Sequence, residues 1–452
     1  MKKYFGTDGV RGIANVELTP ELAFKLGRAG AYVLTKNCGK KTEGAPKVLL
    51  GKDGRRSGDM LEAALTAGLC SIGAEVYQCG IIPTPAVAHL IQKYGFDAGV
   101  MISASHNPMQ DNGIKFFSCQ GLKLPDELEA EIEAVLDAED LPRPSGAGVG
   151  IVKQCDYALG DYTEFILSTV PGLNLAGKKI ALDCANGATS AVASIVFERL
   201  GATVYTIHNT PDGCNINANC GSTHMQSLQA YVKANNMHIG LAFDGDGDRM
   251  LAVDENGKTI DGDIIMAICG FDMHQRGKLN NGTIVATVMS NQGLEVFCRN
   301  NGMTLHRTAV GDRYVLEKML ADGLNLGGEQ SGHLIFSDYN PTGDAILAGV
   351  QLLAVLHNQG KTIGELAAQI HIFPQVLINA KVPNARMTEL KTNPKILDAK
   401  AQVEAQLTVD ERLLLRASGT EPVVRVMIEG LDINKITQLA KGLVAVIEDN
   451  LG

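Results

Sequence analysis

The sequence predicts an α/β protein of several domains, with three α/β units in succession and a closing tail of different pattern. Three observations predict it. The chain has 452 residues, and at roughly 150 residues per domain that makes about three domains, or four if the units are smaller. Short apolar runs alternate with longer helical patterns, which is the rhythm of strand and helix layers. The stretch 141–150, Leu-Pro-Arg-Pro-Ser-Gly-Ala-Gly-Val-Gly, breaks that rhythm and reads as a linker.

The elements follow in order. Residues 48–50, Val-Leu-Leu, read as a buried strand and 59–71 as a helix. Residues 98–102 form an apolar run entering a Ser-rich loop, and 126–138 carry the acidic, amphipathic pattern of a surface helix. After the linker a second rhythm starts: strand at 179–184, helix at 193–200, strand at 238–243. A third unit begins near Asp254, with helices at 263–270 and 291–300, a strand at 283–287 and a long apolar helix at 344–357. From about Phe373 the pattern changes to a strand at 376–382, a helix, a strand at 425–428 and a closing helix at 433–447. The repeated rhythm suits an old triplication, although residue identity does not establish one.

Composition narrows the function. Hydrophobic residues are 45 % and charged residues 20 %, ordinary for a soluble globular protein. The net charge of −10 argues against a nucleic-acid or membrane-surface binder, since neither polyanion attracts an acidic protein. The N-terminus lacks an apolar signal stretch and no apolar run is long enough to span a membrane, so a cytoplasmic protein is expected. The ten cysteines include no C-x-x-C pair and no zinc-like spacing, and read as reduced, mostly structural thiols.

The run Phe243-Asp244-Gly245-Asp246-Gly247-Asp248-Arg249 sets three carboxylates at alternate positions after an apolar strand. The glycines let the backbone turn so that all three face one centre. Their mutual repulsion calls for a hard divalent cation with oxygen ligands, and Mg²⁺ fits best. A calcium EF-hand loop is the competing metal reading, since Glu255 sits twelfth from Asp244. Against it, the sixth position is Arg249 where that loop needs Gly, and 250–253 reads as a strand. The plain alternative is an acidic turn that binds nothing.

The loop Ser103-Ala104-Ser105-His106-Asn107-Pro108 follows the strand at 98–102. Asn-Pro forces a turn, so Ser105 is presented at a strand end, where open α/β sheets bind ligands. His106 and Lys115 lie close in sequence, and Lys115 suits a phosphate. A Ser-His hydrolase is also suggested, but its G-x-S-x-G elbow is absent. Gly328-Glu329-Gln330-Ser331-Gly332-His333 offers alternating polar groups, Glu329 and Ser331, to a polyol; a capping turn is the plain reading. Arg416-Ala417-Ser418-Gly419-Thr420-Glu421-Pro422, with Arg425 beyond it, combines cations, hydroxyls and a Gly turn, a nest for phosphate or else a solvated turn. Gly6-Thr7-Asp8-Gly9-Val10-Arg11-Gly12 and Arg55 add cations that read equally as surface charges.

Together, and in this order, the N-terminal Gly-Thr-Asp-Gly-Val-Arg-Gly and these four loops resemble the α-D-phosphohexomutase family over nearly the whole chain. One departure is Gly54, in Lys52-Asp53-Gly54-Arg55, where the family usually has Thr. The resemblance implies four domains around a central cleft: three related α/β domains with mixed sheets plus a smaller C-terminal α+β domain. The divisions expected are 1–152 with a phosphoserine loop, 153–253 with a metal loop, 254–370 with a sugar loop and 371–452 with a phosphate site. Asn215-Ile216-Asn217 with Cys220-Gly221-Ser222-Thr223-His224, and Met289-Ser290-Asn291, look like an amino-sugar branch. That branch implies interconversion of glucosamine 6-phosphate and glucosamine 1-phosphate through a 1,6-bisphosphate, on the route to UDP-N-acetylglucosamine and the cell wall.

The roles implied are specific. Phosphorylated Ser105 donates to the sugar. One Mg²⁺ per subunit sits on Asp244, Asp246 and Asp248 together with the Ser105 phosphate. Lys115 and Arg11 move protons or stabilise charge, and His333 is a weaker acid/base candidate. Arg249 and His106 contact substrate, Glu329 and Ser331 hold hydroxyls, and Arg416, Ser418, Gly419, Thr420 and Arg425 grip the distal phosphate. A monomer or homodimer acting on a small sugar phosphate is expected. The runners-up are a phosphomannomutase/phosphoglucomutase and a serine-dependent sugar phosphatase.

Overall fold

The computed structural model describes residues 3–6, 8–37, 44–138, 140–418 and 421–452. Among them four sheets form. The first runs, in spatial order, Phe5–Gly6, Gly9–Ile13, Asp111–Ser118, Ala98–Ile102, Lys47–Lys52, Glu75–Ile81 and Val152–Gln154. Its last four strands are parallel and the others antiparallel. Every residue of Ala98–Ile102 is buried, which is why this strand reads as an unbroken apolar run.

One strand order recurs three times. A first strand has a parallel partner on each side, and the third of these strands has a fourth, antiparallel, beyond it. In the first unit these are Lys47–Lys52, Glu75–Ile81, Ala98–Ile102 and Asp111–Ser118. In the second they are Lys179–Asp183, Thr203–Ile207, Ile239–Phe243 and Met250–Val253. In the third they are Thr283–Thr287, Thr304–Thr308, Leu326–Gly328 and Leu334–Phe336. The repeated rhythm of the sequence is thus a repeated topology. It also has a functional consequence, because the loop between third and fourth strands is the Ser105 loop, the aspartate loop and the Glu329 loop in turn.

Helices cross between the parallel strands, Ser57–Cys70 and Thr84–Tyr94 in the first unit, as parallel pairing requires. One apolar core runs through all three α/β units, joining Leu49, Met101, Phe197, Leu241, Ile284 and Leu353. The tail is built differently. Gln375–Lys381, Val423–Glu429 and Arg412–Ala417 form an antiparallel sheet, covered by Pro394–Glu404 and Ile433–Leu451 around a separate core that includes Val426, Ile436 and Leu443. Its ties to the third unit include Arg412, which donates to the carbonyls of Val288 and Ser290 (3.1 and 3.0 Å), and Asn291, which donates to Phe373 O (3.0 Å).

Several expectations change. The stretch 141–150 does not leave the first unit: Gly150 N–H donates to Cys70 O and Val76 N–H to Ile151 O, and Val152–Gln154 then pairs with Glu75–Ile81. The first sheet therefore ends at Gln154, and Thr259–Ile260 extends the second sheet, so the sheets close slightly beyond 152 and 253. The helix expected over 126–138 stops at Val135, and that expected over 263–270 runs from Gly262 to Gln275. Asn291 and Asp344 are N-caps rather than helical residues, each accepting a backbone N–H. Among the described residues no helix is long and apolar enough to cross a membrane.

Candidate active site

The serine loop is held by buried polar groups. Ser105 is fully buried and adopts a left-handed backbone (φ 52°), an uncommon conformation for a residue with a Cβ. Its N–H donates to Ser103 Oγ (2.9 Å), and Ser103 Oγ donates to Asp53 (2.6 Å). Arg55 supplies the main restraint. It pairs with Asp53 (2.9 Å) and donates to the carbonyls of Ser105, Asn107, Pro108 and Asp111 at 2.5–3.0 Å. The surface-charge reading of Arg55 is therefore wrong, since it is 2 % exposed. Asn217, from the second unit, donates to Ser105 O (2.9 Å) and Asn107 O (3.0 Å).

The aspartate loop meets the serine loop directly. Ser105 Oγ donates to Asp244 Oδ2 at 2.6 Å, although 139 residues separate the two. Gly247 sits at φ 73°, and a Cβ on Gly245 would lie 2.6 Å from Ser105 O, so both glycines are required, the second by close approach of the two loops. Strand Met250–Val253 follows, which removes the EF-hand reading. Asp244, Asp246 and Asp248 are buried, and one carboxylate oxygen of each lies within 4.8 Å of the others. Asp246 Oδ1 and Asp248 Oδ1 are buried without a hydrogen-bond partner. Three clustered carboxylates, two of them with a buried oxygen that lacks a partner, fit a divalent cation of the Mg²⁺ kind.

Charge around the loop is distributed unevenly. Burial, and then Asp248 and Asp246, push the Asp244 carboxyl well above the usual range. Burial also opposes ionisation of Asp248, but His333, Lys115 and Arg249 outweigh it and hold that carboxyl low. Lys115 is 2 % exposed and bonds Asp246 (2.8 Å) and Asp8 (3.1 Å). Its burial disfavours the ammonium, but Asp246, Asp8 and Asp248 raise it, so it stays protonated at neutral pH. Arg11 pairs with Asp8, as does Lys123 (2.6 Å), and Lys123 continues to Asp312 of the third unit (2.5 Å).

His106 and His333 differ from simple acid/base groups. His106 Nδ1 accepts from Arg249 Nη1 (2.9 Å) and is 3.4 Å from Ser105 Oγ. Burial, with Arg249 and Arg11 nearby, pulls its pKa down to about 4, so the ring is neutral. His333 is 2 % exposed, with Nδ1 3.6 Å from Asp248 and Nε2 accepting from Gly343 N–H (3.1 Å) while facing Asp312 at 3.4 Å. Both its nitrogens point at protein groups.

The Glu329 loop joins this centre through backbone: Met250 N–H donates to Gly332 O (3.0 Å) and Gly262 N–H to Gln330 O (3.0 Å). Glu329 attracts Arg249, and Ser331 Oγ lies 3.4 Å from Glu329 Oε2. Arg416 sits opposite Arg425 across the tail ladder, a repulsive cross-strand pair, and Arg425 is matched in part by Glu421 (2.9 Å). Burial and Arg425 lower Arg416 from its usual value. Ser418 follows; Gly419 and Thr420, like Thr7, lie outside the described residues. The tail contacts named above go to the third unit and none to the serine or aspartate loop.

Sequence reasoning missed Asp8, Thr84, Lys123 and Asp312 as parts of one network. Thr84 donates to Asp246 (2.6 Å). Asp8 lies within the N-terminal Gly-Thr-Asp-Gly-Val-Arg-Gly run, whereas Lys123 and Asp312 carry no local signal. Arg55 permits a direct check. Lysine cannot reproduce five bonds from a planar fork, so Arg55→Lys should lower stability by about 3 kcal/mol, as losing a buried pairing does, and reduce kcat. A denaturant melt and steady-state rates measure both; an unchanged midpoint and rate would remove Arg55 from this role.

Fold and site together define a hexose-phosphate mutase: the chain belongs to the phosphoglucomutase/phosphomannomutase family, an isomerase family. It matches the family's alpha/beta/alpha domain I over residues 2–143, domain II over 161–257, domain III over 261–373 and C-terminal domain over 377–446. Among curated relatives, the phosphoglucosamine mutase of Ruminiclostridium cellulolyticum is 54 % identical over 453 residues, covering 100 % of both chains. That of Acetivibrio thermocellus is 53 % identical over 454 residues, again with 100 % of each covered. Among solved structures, a phosphoglucomutase/phosphomannomutase family protein from Burkholderia thailandensis superposes with a TM-score of 0.79 at 24 % identity, covering 98 % of this chain and 96 % of that one. The N-acetylphosphoglucosamine mutase of Aspergillus fumigatus, in complex with GlcNAc-6P and magnesium, gives 0.70 at 18 % identity, covering 100 % and 96 %. These two likenesses concern the fold.

Proposed function

We propose that the chain is a phosphoglucosamine mutase that interconverts glucosamine 6-phosphate and glucosamine 1-phosphate through phosphorylated Ser105 and a 1,6-bisphosphate. The observation that carries the phosphoryl chemistry is Ser105 Oγ held 2.6 Å from Asp244 Oδ2, beside Asp246 and Asp248, each of which has one buried oxygen without a hydrogen-bond partner. The amino-sugar assignment is supported by relatives of that name matched along the whole chain.

Asp244, Asp246 and Asp248, with the Ser105 phosphate, would hold one Mg²⁺ per subunit. Bound there, the ion supplies positive charge to the phosphoryl oxygens. Lys115, locked as an ammonium, stabilises charge on the transferring group and does not act as base. Arg11 and Arg249 add charge, with neutral His106 orienting Arg249. His333 positions Asp248 rather than exchanging protons with the sugar. Glu329 and Ser331 bind hydroxyls that present alike in both orientations of the bisphosphate. Arg416, Ser418, Gly419, Thr420 and Arg425 grip the phosphate that is not reacting; the Arg416–Arg425 pair across one ladder supports this, because two facing cations are relieved by an anion. The tail's separate core lets it close over the cleft as a body and exclude water. We read the enzyme as cytoplasmic, acting as a monomer or homodimer on a sugar phosphate, without nucleic-acid or membrane partners.

Purified protein with Mg²⁺ and a sugar-phosphate panel tests the reading. Glucosamine 6-phosphate should show the highest kcat/KM. A higher ratio for glucose or mannose 6-phosphate would make it a phosphoglucomutase/phosphomannomutase, and released inorganic phosphate without isomer would make it a phosphatase. Arg416→Ala should raise KM about tenfold, the cost of one charge-assisted bond, and increase escape of bisphosphate into solution. Unchanged KM and unchanged escape would mean that the tail does not clamp the phosphate.

A further inference from the structure

The second sheet carries another polar cluster at the ends of its parallel strands. Asp183 closes Lys179–Asp183, His208 directly follows Thr203–Ile207, and Cys220 precedes the turn Gly221–Thr223. Three segments distant in sequence therefore meet, which is why no zinc-like spacing is visible along the chain. One donor atom from each residue lies within 4.8 Å of the other two. The Asp183 and Cys220 side chains are fully buried, whereas the His208 side chain is 31 % exposed and leaves an edge open to solvent.

The inner atoms bond chiefly to one another, in contacts that an ion would replace. Asp183 Oδ1 accepts from Ala185 N–H (3.0 Å), while Oδ2 faces His208 Nδ1 at 3.0 Å. The Cys220 sulfur has the Asn186 amide at 4.0 Å, a weak contact. The backbone is strained to assemble the group: Ala185, Asn186 and His208 are all left-handed, at φ 53°, 47° and 45°. None of the three donor residues is used by the phosphoryl-transfer site.

We propose that Asp183, His208 and Cys220 form a second metal site, for a zinc-type ion, separate from the three-aspartate site. The donor set decides the ion class. Oxygen, nitrogen and sulfur together suit Zn²⁺ or Co²⁺, whereas Mg²⁺ prefers oxygen alone. Charge closes as well: one carboxylate and one thiolate neutralise a divalent ion, and the imidazole stays neutral. Zinc bonds of about 2.0–2.3 Å place donors roughly 3.5 Å apart, so small side-chain rotations close the cluster on the ion, with water completing the tetrahedron.

Proton balance follows. Cys220 loses its S–H proton to solvent, and the imidazole coordinates through Nδ1 with its proton on Nε2, at the open edge. The site also adjoins the catalytic loops. Asn217 N–H donates to Ala185 O (2.9 Å), and the Asn217 side chain holds the carbonyls of Ser105 and Asn107.

Cobalt(II) chloride, added to the full-length protein in saturating Mg²⁺, tests the proposal, because thiolate-to-cobalt charge transfer absorbs in the near ultraviolet and oxygen ligands do not produce it. Wild type should develop that band at about one equivalent, as one tetrahedral site requires. Cys220→Ser and His208→Gln should lose it while retaining mutase activity, which reports folding. Asp246→Asn and Cys214→Ser should keep it, the second because Cys214 is an exposed thiol outside the cluster. Absence of the band in wild type, or its survival in a folded Cys220→Ser, would overturn the site. If Cys220→Ser fails to fold, an intact band in His208→Gln overturns it instead.

Discussion

Ser105→Ala should lower mutase turnover by about 10⁴-fold or more, since no neighbouring group replaces a lost nucleophile. Its geometry makes the loss chemical rather than structural. The substitution keeps Cβ, so the left-handed backbone at φ 52° is no more strained than before. The loop is pinned through backbone carbonyls by Arg55 and Asn217, and neither depends on the hydroxyl. What is lost in the folded state is the hydrogen bond to Asp244 and the longer contact to His106, about 1 kcal/mol. The melting curve should therefore move little while kcat collapses. Peptide mass spectrometry on protein taken from cells should find phosphate on Ser105 in wild type. Phosphate found solely on another residue, together with turnover surviving in Ser105→Ala, would refute a phosphoserine mechanism here.

Asp244→Asn should reduce kcat by about 10³-fold, the scale on which loss of an electrostatic stabiliser is felt, and should abolish stabilisation by added Mg²⁺. The side chain is nearly isosteric in this setting. Its Oδ1 accepts backbone N–H groups from Asp248 (3.1 Å) and Arg249 (3.2 Å), which an amide oxygen also accepts. Its nitrogen then faces Ser105 Oγ, which accepts in place of donating.

Metal-free stability gives the second readout. The Asp244 carboxyl is raised in the folded state by burial and by Asp248 and Asp246. A group with a raised folded pKa binds its proton more tightly when folded, so its contribution is full below the unfolded carboxylate range and is lost as pH rises through the folded value. In chelator, the Asp244 contribution should thus fall between acid and neutral pH, so wild type should lose stability relative to Asp244→Asn over that range. Thermal melts with and without Mg²⁺ across that window measure it. Wild-type and variant curves that superpose in chelator, or full turnover by chelated enzyme, would show that these carboxylates serve another purpose.

Local chemistry made much of the protein legible. Apolar runs such as Ala98–Ile102 and Ile239–Phe243 are buried on every residue, so each could be read as a central strand without knowing its neighbours. Asp244, Asp246 and Asp248 announce a cation because three anions and two glycines within five residues leave few other stable arrangements. Arg412–Ala417 was missed because its role depends on a partner strand and on Arg425 across the ladder. Arg55 and Lys123 were unreadable for the same kind of reason. An isolated cation in a sequence looks solvated, and only the fold shows Arg55 inside a ring of carbonyls and Lys123 between Asp8 and Asp312.

Contiguous residues encode the α/β rhythm, the central strands, the aspartate and serine loops, and the family to which they point. Tertiary structure decided three further things. It gave the three α/β units one strand order, so that three dissimilar loops occupy equivalent places. It bound Ser105 to Asp244 and Asn217, and drew Asp183, His208 and Cys220 together. It also separated the tail's core from the core shared by the other units. The reason is physical: periodicity and turn chemistry act over a few residues, whereas charge pairing and burial act through space between segments that the chain lists far apart.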